Sequence, residues 1–143
     1  MKVKAAVVRE TGGDFAMADL ELDDPRDDEI LIRIKGVGLC HTDLVARDGF
    51  MPFGPPAVLG HEGSGIVERV GNAVRKVKPG DAVGITFRSC GVCARCRMGE
   101  PAYCHTMPQL NYAGMRPDGS RALHEDGTAV ASNFFGQSSF ANY

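Results

Sequence analysis

The chain lacks the long apolar run that a membrane span or a secretory signal requires. Near its start the run Ala5 to Val8 covers four residues before Arg9, far short of either need. It also lacks a block of one charge: 16 basic and 18 acidic residues give a net charge of −2, with the basic residues scattered singly. That leaves no footprint for nucleic acid or an anionic membrane surface, and neither partner is expected. Internal repeats, low-complexity tracts and linkers are missing too. There is no GxGxxG: Gly36-Val37-Gly38 and Gly60-His61-Glu62-Gly63-Ser64-Gly65 have other spacings and run into chemistry-bearing residues or a strand. The five cysteines are an odd number, and four of them crowd together, which argues against a disulfide framework and for a reducing, cytoplasmic setting.

What the chain has in plenty is glycine, 18 of 143 residues, with eight prolines. That share implies many tight turns between short strands, so the fold class expected is mostly β. A length of 143 residues suits one domain, 1–143, able to bury roughly 70% of its unfolded surface. Strands are expected at Lys2 to Arg9 and Phe15 to Leu22, joined by a Gly12-Gly13-Asp14 turn. A third, Glu29 to Val37, has Ile30, Ile32 and Ile34 on one face and Leu31, Arg33 and Lys35 on the other. Further strands are expected at Ser64 to Val70 and Ala82 to Phe87, with a strand beginning in Ser138 to Tyr143. The segment His41 to Gly49 reads as one or two helical turns capped by Thr42 or Asp43. The loop Phe50 to Pro56, rich in proline and large apolar residues, is expected to line or cover a cavity, and 90–136 to be irregular.

Cys90, Cys93, Cys96 and Cys104 form a CxxCxxC run closed by a fourth cysteine after seven intervening residues. Four thiolates at such spacing can surround Zn²⁺ tetrahedrally, and a closed Cys₄ shell shapes a loop rather than performing chemistry. An iron–sulfur cluster is the rival, but the ferredoxin run continues after three residues to a cysteine followed by proline, whereas His105 follows here. Any catalysis needs a second, more dispersed set of ligands. Cys40 alone reads as a buried free thiol and His61 alone as a core histidine. Together with Glu62, and with glycines on both sides of His61-Glu62, they have the residue types of an open zinc site. Thr42 and Asp43 stand beside Cys40 and have helix capping as their alternative reading, and His41 has that of a surface histidine.

GLCHTD around Cys40, GHEGSGIV around His61, the turn KPGD at Lys78 to Asp81 and the four-cysteine loop, in this order, resemble the zinc-dependent medium-chain alcohol dehydrogenases over the whole chain. Within that family the sequence looks similar to members acting on benzyl-type and other bulky primary alcohols. The resemblance implies a GroES-like, partly open β-barrel with short helices and an irregular zinc loop. It implies Cys40 and His61 as ligands of a catalytic zinc with Glu62 beside it. Thr42 would take the alcohol proton, Asp43 would orient His61, and His41 would lie near the cofactor pyrophosphate. Cys90, Cys93, Cys96 and Cys104 would hold a structural zinc.

The resemblance also implies parts that these residues do not supply: a Rossmann domain for NAD(P) and a third catalytic ligand, a further cysteine, both expected beyond residue 143. The catalytic zinc site is therefore expected to be incomplete. The segment Leu44-Val45-Ala46 offers no histidine to extend a proton relay, which leaves water or His41. The expected activity is oxidation of a primary, aromatic or bulky alcohol to its aldehyde by the parent enzyme, with Phe50, Met51 and Phe53 as apolar walls. The alternative is a non-catalytic structural-zinc module. Apolar surface left where a cofactor domain would pack makes self-association an expectation as well.

Overall fold

The computed structural model describes all 143 residues. Alternation places Val3, Ala5 and Val7 of β1 (Lys2–Val8) on one buried face. β1 pairs antiparallel with β2 (Phe15–Leu22), Val3 opposite Leu20, across a turn in which Gly12 takes φ 74°. Next come β3 (Ile30–Val37), α1 (His41–Arg47), β4 (Ala57–Val58), β5 (Gly63–Val70) and β6 (Ala82–Gly84). The sheets are β4-β1-β2-β7-β8 and β3-β5-β6, with β7 (Leu123–Glu125) and β8 (Thr128–Val130) forming a late hairpin.

The final residues join the two sheets. The Ala6 N–H donates to Phe140 O (2.8 Å) and the Asn142 N–H to Lys4 O (2.9 Å), while the Ile34 N–H of β3 donates to Asn142 O (3.0 Å). This curls the sheets into the partly open β-barrel of a GroES-like fold. The expected strand at 138–143 is reduced to one bridge, Ala141 to Ala5. Two apolar clusters fill the inside. Val3, Ala5, Val7, Leu20, Val58, Leu123 and Val130 pack under the five-stranded sheet, and Ala46, Phe53, Ala57, Leu59, Ala131 and Phe134 pack between α1 and the His61 loop. No helix is long and apolar enough to cross a membrane.

Several expectations need correction. In β3 the buried residue is Leu31, and Ile30 is exposed, because register shifts after Leu31 and Ile34 interrupt the simple alternation. β6 ends at Gly84 rather than Phe87. The segment 90–136 is not irregular throughout: it holds α2 (Ala94–Arg97), a 3₁₀ turn (Pro101–Tyr103), α3 (Met107–Tyr112) and the β7–β8 hairpin. Elements of three to six residues are too short to show a period. The hairpin turn is Asp126-Gly127, both at positive φ (50° and 78°), as a two-residue type I′ turn requires. Phe53 does not line an open cavity: it is 3% exposed and packs edge-on against Phe134. A cavity of about 320 Å³ does lie between the sheets, lined by Ile30, Ile32, Ile34, Ile85 and Tyr143 among others, but by no residue of 50–56.

Candidate metal centres

β3 delivers Gly38-Leu39-Cys40 to the start of α1. Cys40, not Thr42 or Asp43, is the N-cap (φ −114°, ψ 150°), and the helix begins at His41. The expected cap is displaced because Asp43, at the third helical position, reaches back: the Cys40 N–H donates to Asp43 Oδ2 (3.3 Å), half of a capping box. Asp43 is 2% exposed, and its other oxygen does two further things. Oδ1 accepts from the Gly60 N–H (3.0 Å) and contacts His61 Nδ1 (3.1 Å), so one carboxylate ties the Cys40 loop to the His61 loop. A carboxylate in this state only accepts, which puts the proton on Nδ1 and leaves the lone pair of Nε2 free.

Cys40, His61 and Glu62 each offer one donor atom, and the three atoms lie within 4.8 Å of one another. Cys40 and His61 are half-buried and Glu62 is exposed, so the set is open on one side. The Cys40 thiol donates to Thr42 Oγ1 (3.5 Å), which places that hydroxyl beside the donor set. Gly38 packs against Glu62 so closely that a Cβ there would collide with its carboxylate, and the Gly38 N–H donates to Glu62 O (3.1 Å). His41 is exposed.

The second cluster is local. The sulfurs of Cys90, Cys93, Cys96 and Cys104 also lie within 4.8 Å of one another, and Cys90 Sγ is 3.9 Å from Cys96 Sγ. A tetrahedron of Zn–S bonds of about 2.3 Å needs sulfurs about 3.8 Å apart, so the spacing fits that ion. Backbone N–H groups point at the sulfurs, Cys93 N at Cys90 Sγ and Cys90 N at Cys104 Sγ, each at 3.3 Å. The Thr106 hydroxyl and the Cys90 N–H bring the Cys104 thiol down to about 6, and the N–H groups of Cys96 and His105 lower that of Cys93. Burial pushes Cys96 up to about 11. Donors aimed at sulfur favour the thiolates a metal binds.

Asn111, fully buried, anchors this lobe. Its Nδ2 donates to Arg88 O (2.8 Å) and Met107 O (2.7 Å), and its Oδ1 accepts from the Arg88 N–H (2.8 Å).

Residues 26–136 match the alcohol dehydrogenase GroES-like domain. This chain belongs to that family. It is 52% identical to geraniol dehydrogenase of Castellaniella defragrans, over 100% of this chain and 38% of the relative. The crystal structure of an alcohol dehydrogenase zinc-binding domain protein from Burkholderia ambifaria superposes with a TM-score of 0.97 at 45% identity, over 99% of this chain and 39% of that one. Benzyl alcohol dehydrogenase from Acinetobacter calcoaceticus gives 0.92 at 41% identity, over 99% and 38%. The chain thus spans less than two-fifths of the length of these relatives.

The structure gathers all the sequence-expected residues except His41 into the two clusters. It adds residues that sequence reasoning missed. Phe135 stacks on the His61 imidazole (centroids 4.7 Å apart, 29° between planes), and Phe134 meets it edge-on at 5.7 Å. Phe135 holds φ at 50°, a conformation unfavourable for an aromatic residue and common where a site imposes it. The only sequence signal was a Phe-Phe-Gly in a segment without periodicity.

Proposed function

We propose that this chain is the metal-binding part of a zinc-dependent, NAD(P)-linked alcohol dehydrogenase that oxidises a primary, bulky or aromatic alcohol to the aldehyde. The carrying observation is the open donor set of Cys40, His61 and Glu62 beside the Thr42 hydroxyl. Cysteine, histidine and carboxylate with a side left open is the donor chemistry of catalytic zinc, whereas the closed Cys₄ cluster suits structural zinc. Zinc held by Cys40, His61 and Glu62 would supply Lewis acidity toward the alcohol hydroxyl, and a nicotinamide cofactor would supply the hydride acceptor.

The residues do the rest. Asp43 holds the tautomer and orientation of His61. Thr42 accepts the hydroxyl proton of the substrate while giving its own outward to water. His41, which is exposed, would contact a cofactor phosphate in this reading. Phe135, lying on His61, exposed Phe50 and half-buried Met51 furnish apolar walls; Phe53, in the core, does not. Relatives named for geraniol and benzyl alcohol support the bulky-substrate reading. A cytoplasmic location follows from the clustered thiols, and self-association through exposed Leu39, Phe50 and Tyr103 is part of the same reading.

The test is an assay of a protein of the relatives' full length that contains these residues, with NAD⁺ or NADP⁺ and benzyl alcohol, geraniol and ethanol. The expected kcat/KM for the bulky alcohols exceeds that for ethanol at least roughly tenfold, and Thr42→Val lowers kcat about 10²-fold. Equal values for ethanol and benzyl alcohol would remove the substrate reading, and no cofactor reduction would remove the enzymatic one. A second reading applies to these 143 residues alone: a zinc-holding module without turnover, favoured by a four-donor cluster that is complete beside a three-donor set that is not. Cofactor reduction by the purified chain would contradict it.

A further inference from the structure

We propose that Gln137 is a positioning residue for the open metal site, acting on the backbone of His61 and Gly63. The inference rests on the reading that Cys40, His61 and Glu62 hold a divalent metal. Between Leu59 and β5 the chain must place an imidazole and a carboxylate side by side at a bend, and side-chain contact with Asp43 fixes only the ring of His61. Gln137, from a segment 76 residues downstream, closes the gap with one amide group. Its Nε2 donates to His61 O (2.8 Å), and its Oε1 accepts from the Gly63 N–H (2.9 Å). A primary amide is the side-chain group that carries donor and acceptor in one plane, so here it replaces the peptide group of a neighbouring strand.

The orientation of that amide is itself enforced. Ser139, 2% exposed, donates its hydroxyl to Gln137 Oε1 (3.0 Å). Two donors converge on Oε1, which leaves Nε2 facing the carbonyl of His61. The approach also explains the glycine after His61-Glu62: a Cβ on Gly63 would lie 2.6 Å from Ser139 Cβ and 3.0 Å from Gln137 Oε1. The same strap continues on either side. The Ser139 N–H donates to Gly60 O (2.9 Å), the Phe140 N–H to Leu59 O (3.0 Å), and Phe135 covers the His61 ring. Ser138 Oγ accepts from the Phe134 N–H (2.9 Å) and donates to Val58 O (2.7 Å), holding the strap in its wound form. Every backbone position from 58 to 63 except Glu62 is thus held from 137–140, and Glu62 is held by Gly38. None of these contacts reaches the Cys₄ lobe.

The test compares Gln137→Met, similar in length but without either polar group, and the milder Ser139→Ala with the unaltered protein. Zn²⁺ is titrated against a chromogenic chelator while the melting temperature is followed. The unaltered protein is expected to hold one tightly bound ion at the cysteine lobe and a second, exchangeable one. Gln137→Met should weaken the second 10- to 100-fold, as loss of a ligand-orienting partner does, and leave the first unchanged. Ser139→Ala should give a smaller shift in the same direction. Unchanged affinity for the second ion in both variants overturns the proposal. So does equal loss of both ions with a lowered melting temperature, which marks a structural role only. If the unaltered protein holds one ion, the reading of the open site fails first, and the Gln137 proposal falls with it.

Discussion

Replacing Asp43 with asparagine changes one atom's chemistry in a place where three donors converge. The carboxylate receives the Gly60 N–H and His61 Nδ1 on Oδ1 and the Cys40 N–H on Oδ2, at 3.0, 3.1 and 3.3 Å. Asparagine has one acceptor oxygen. Set at the Oδ1 position, it keeps two partners but turns two charge-assisted bonds into neutral ones, a loss of about 1 kcal/mol each. Its Nδ2 then faces the Cys40 N–H, donor against donor, at a further cost of about 1 kcal/mol for a long, half-buried bond. The reverse orientation is worse, since the amide would face two donors. The sum is about 3 kcal/mol, which for a domain of this size lowers the melting temperature by roughly 10 °C. Urea unfolding followed by far-UV circular dichroism measures it; the chain has no tryptophan, so fluorescence would rest on three tyrosines. Zinc affinity at the open site should also fall 10- to 100-fold, because a neutral amide oxygen holds the His61 Nδ1 proton more weakly than the carboxylate does and the Cys40 loop loses its tie. An asparagine variant within about 0.5 kcal/mol of the parent, or one that binds zinc as tightly, would refute the assignment of Asp43 as the tie between the two loops.

Three further outcomes follow from other parts of the molecule. Cys104→Ser should remove the tightly held zinc and speed amide exchange in 90–106, while exchange in the β1–β2 hairpin stays slow; retention of that ion in the variant would count against a Cys₄ site. Gly38→Ala, which sets a methyl against the Glu62 carboxylate, should weaken zinc at the open site by at least roughly tenfold with little change in melting temperature. Arg116, 4% exposed, donates to Glu29 through Nε (2.7 Å) and Nη2 (2.9 Å) and to Asp23 through Nη1 (2.8 Å). Burial pushes the Glu29 carboxyl up, but its bonds to Arg116 and the Arg26 N–H outweigh that and hold it below its ordinary 4.5. A depressed carboxylate stabilises the fold above its unfolded value, and that contribution disappears as pH falls through the folded one. Acid titration of stability should therefore show a decline starting below about pH 4.5. Arg116→Met should remove part of this decline and cost about 2 kcal/mol at pH 7, less than for a fully buried pair because Asp23 is 43% exposed.

The β1–β2 hairpin, β5 and all six cysteine and histidine ligand candidates were legible in the sequence, for different reasons. Strands of seven or eight residues show alternation and turn chemistry, and metal-ligand types at fixed spacing stand out against any background. The cap of α1 was misplaced because Asp43 uses its oxygens on Cys40, Gly60 and His61 at once, and only two of those partners lie outside the helix start in space. The elements between 90 and 136 are hidden by their length, and Asp126-Gly127 is the one strong hairpin signal among them. Gln137, Ser139 and Asn111 were invisible in principle. Gln137 and Asn111 bond to backbone, and a backbone partner leaves no mark of residue type on the sequence; the Ser139 hydroxyl acts only through Gln137.

That contrast carries over to how the two clusters depend on the fold. The four cysteines span fifteen residues and draw their N–H donors from the same loop, whose base Asn111 closes on Arg88; Arg88 reaches Asp28 and Tyr112 meets Phe135 beyond it. The open set needs the end of β3 for Gly38 and Cys40, the start of α1 for Asp43, the bend before β5 for His61 and Glu62, and the segment 134–140 to hold that bend. A defect in the barrel therefore reaches the open set through any of four segments, and the cysteine cluster through far fewer. If both clusters hold zinc as proposed, a domain built this way would keep the ion of its cysteine lobe under conditions in which the open set has already come apart, so occupancy of that lobe would be a poor report on competence. The informative observable is the second, weaker ion, since its donors are brought together only when both sheets and the strap between them are in place.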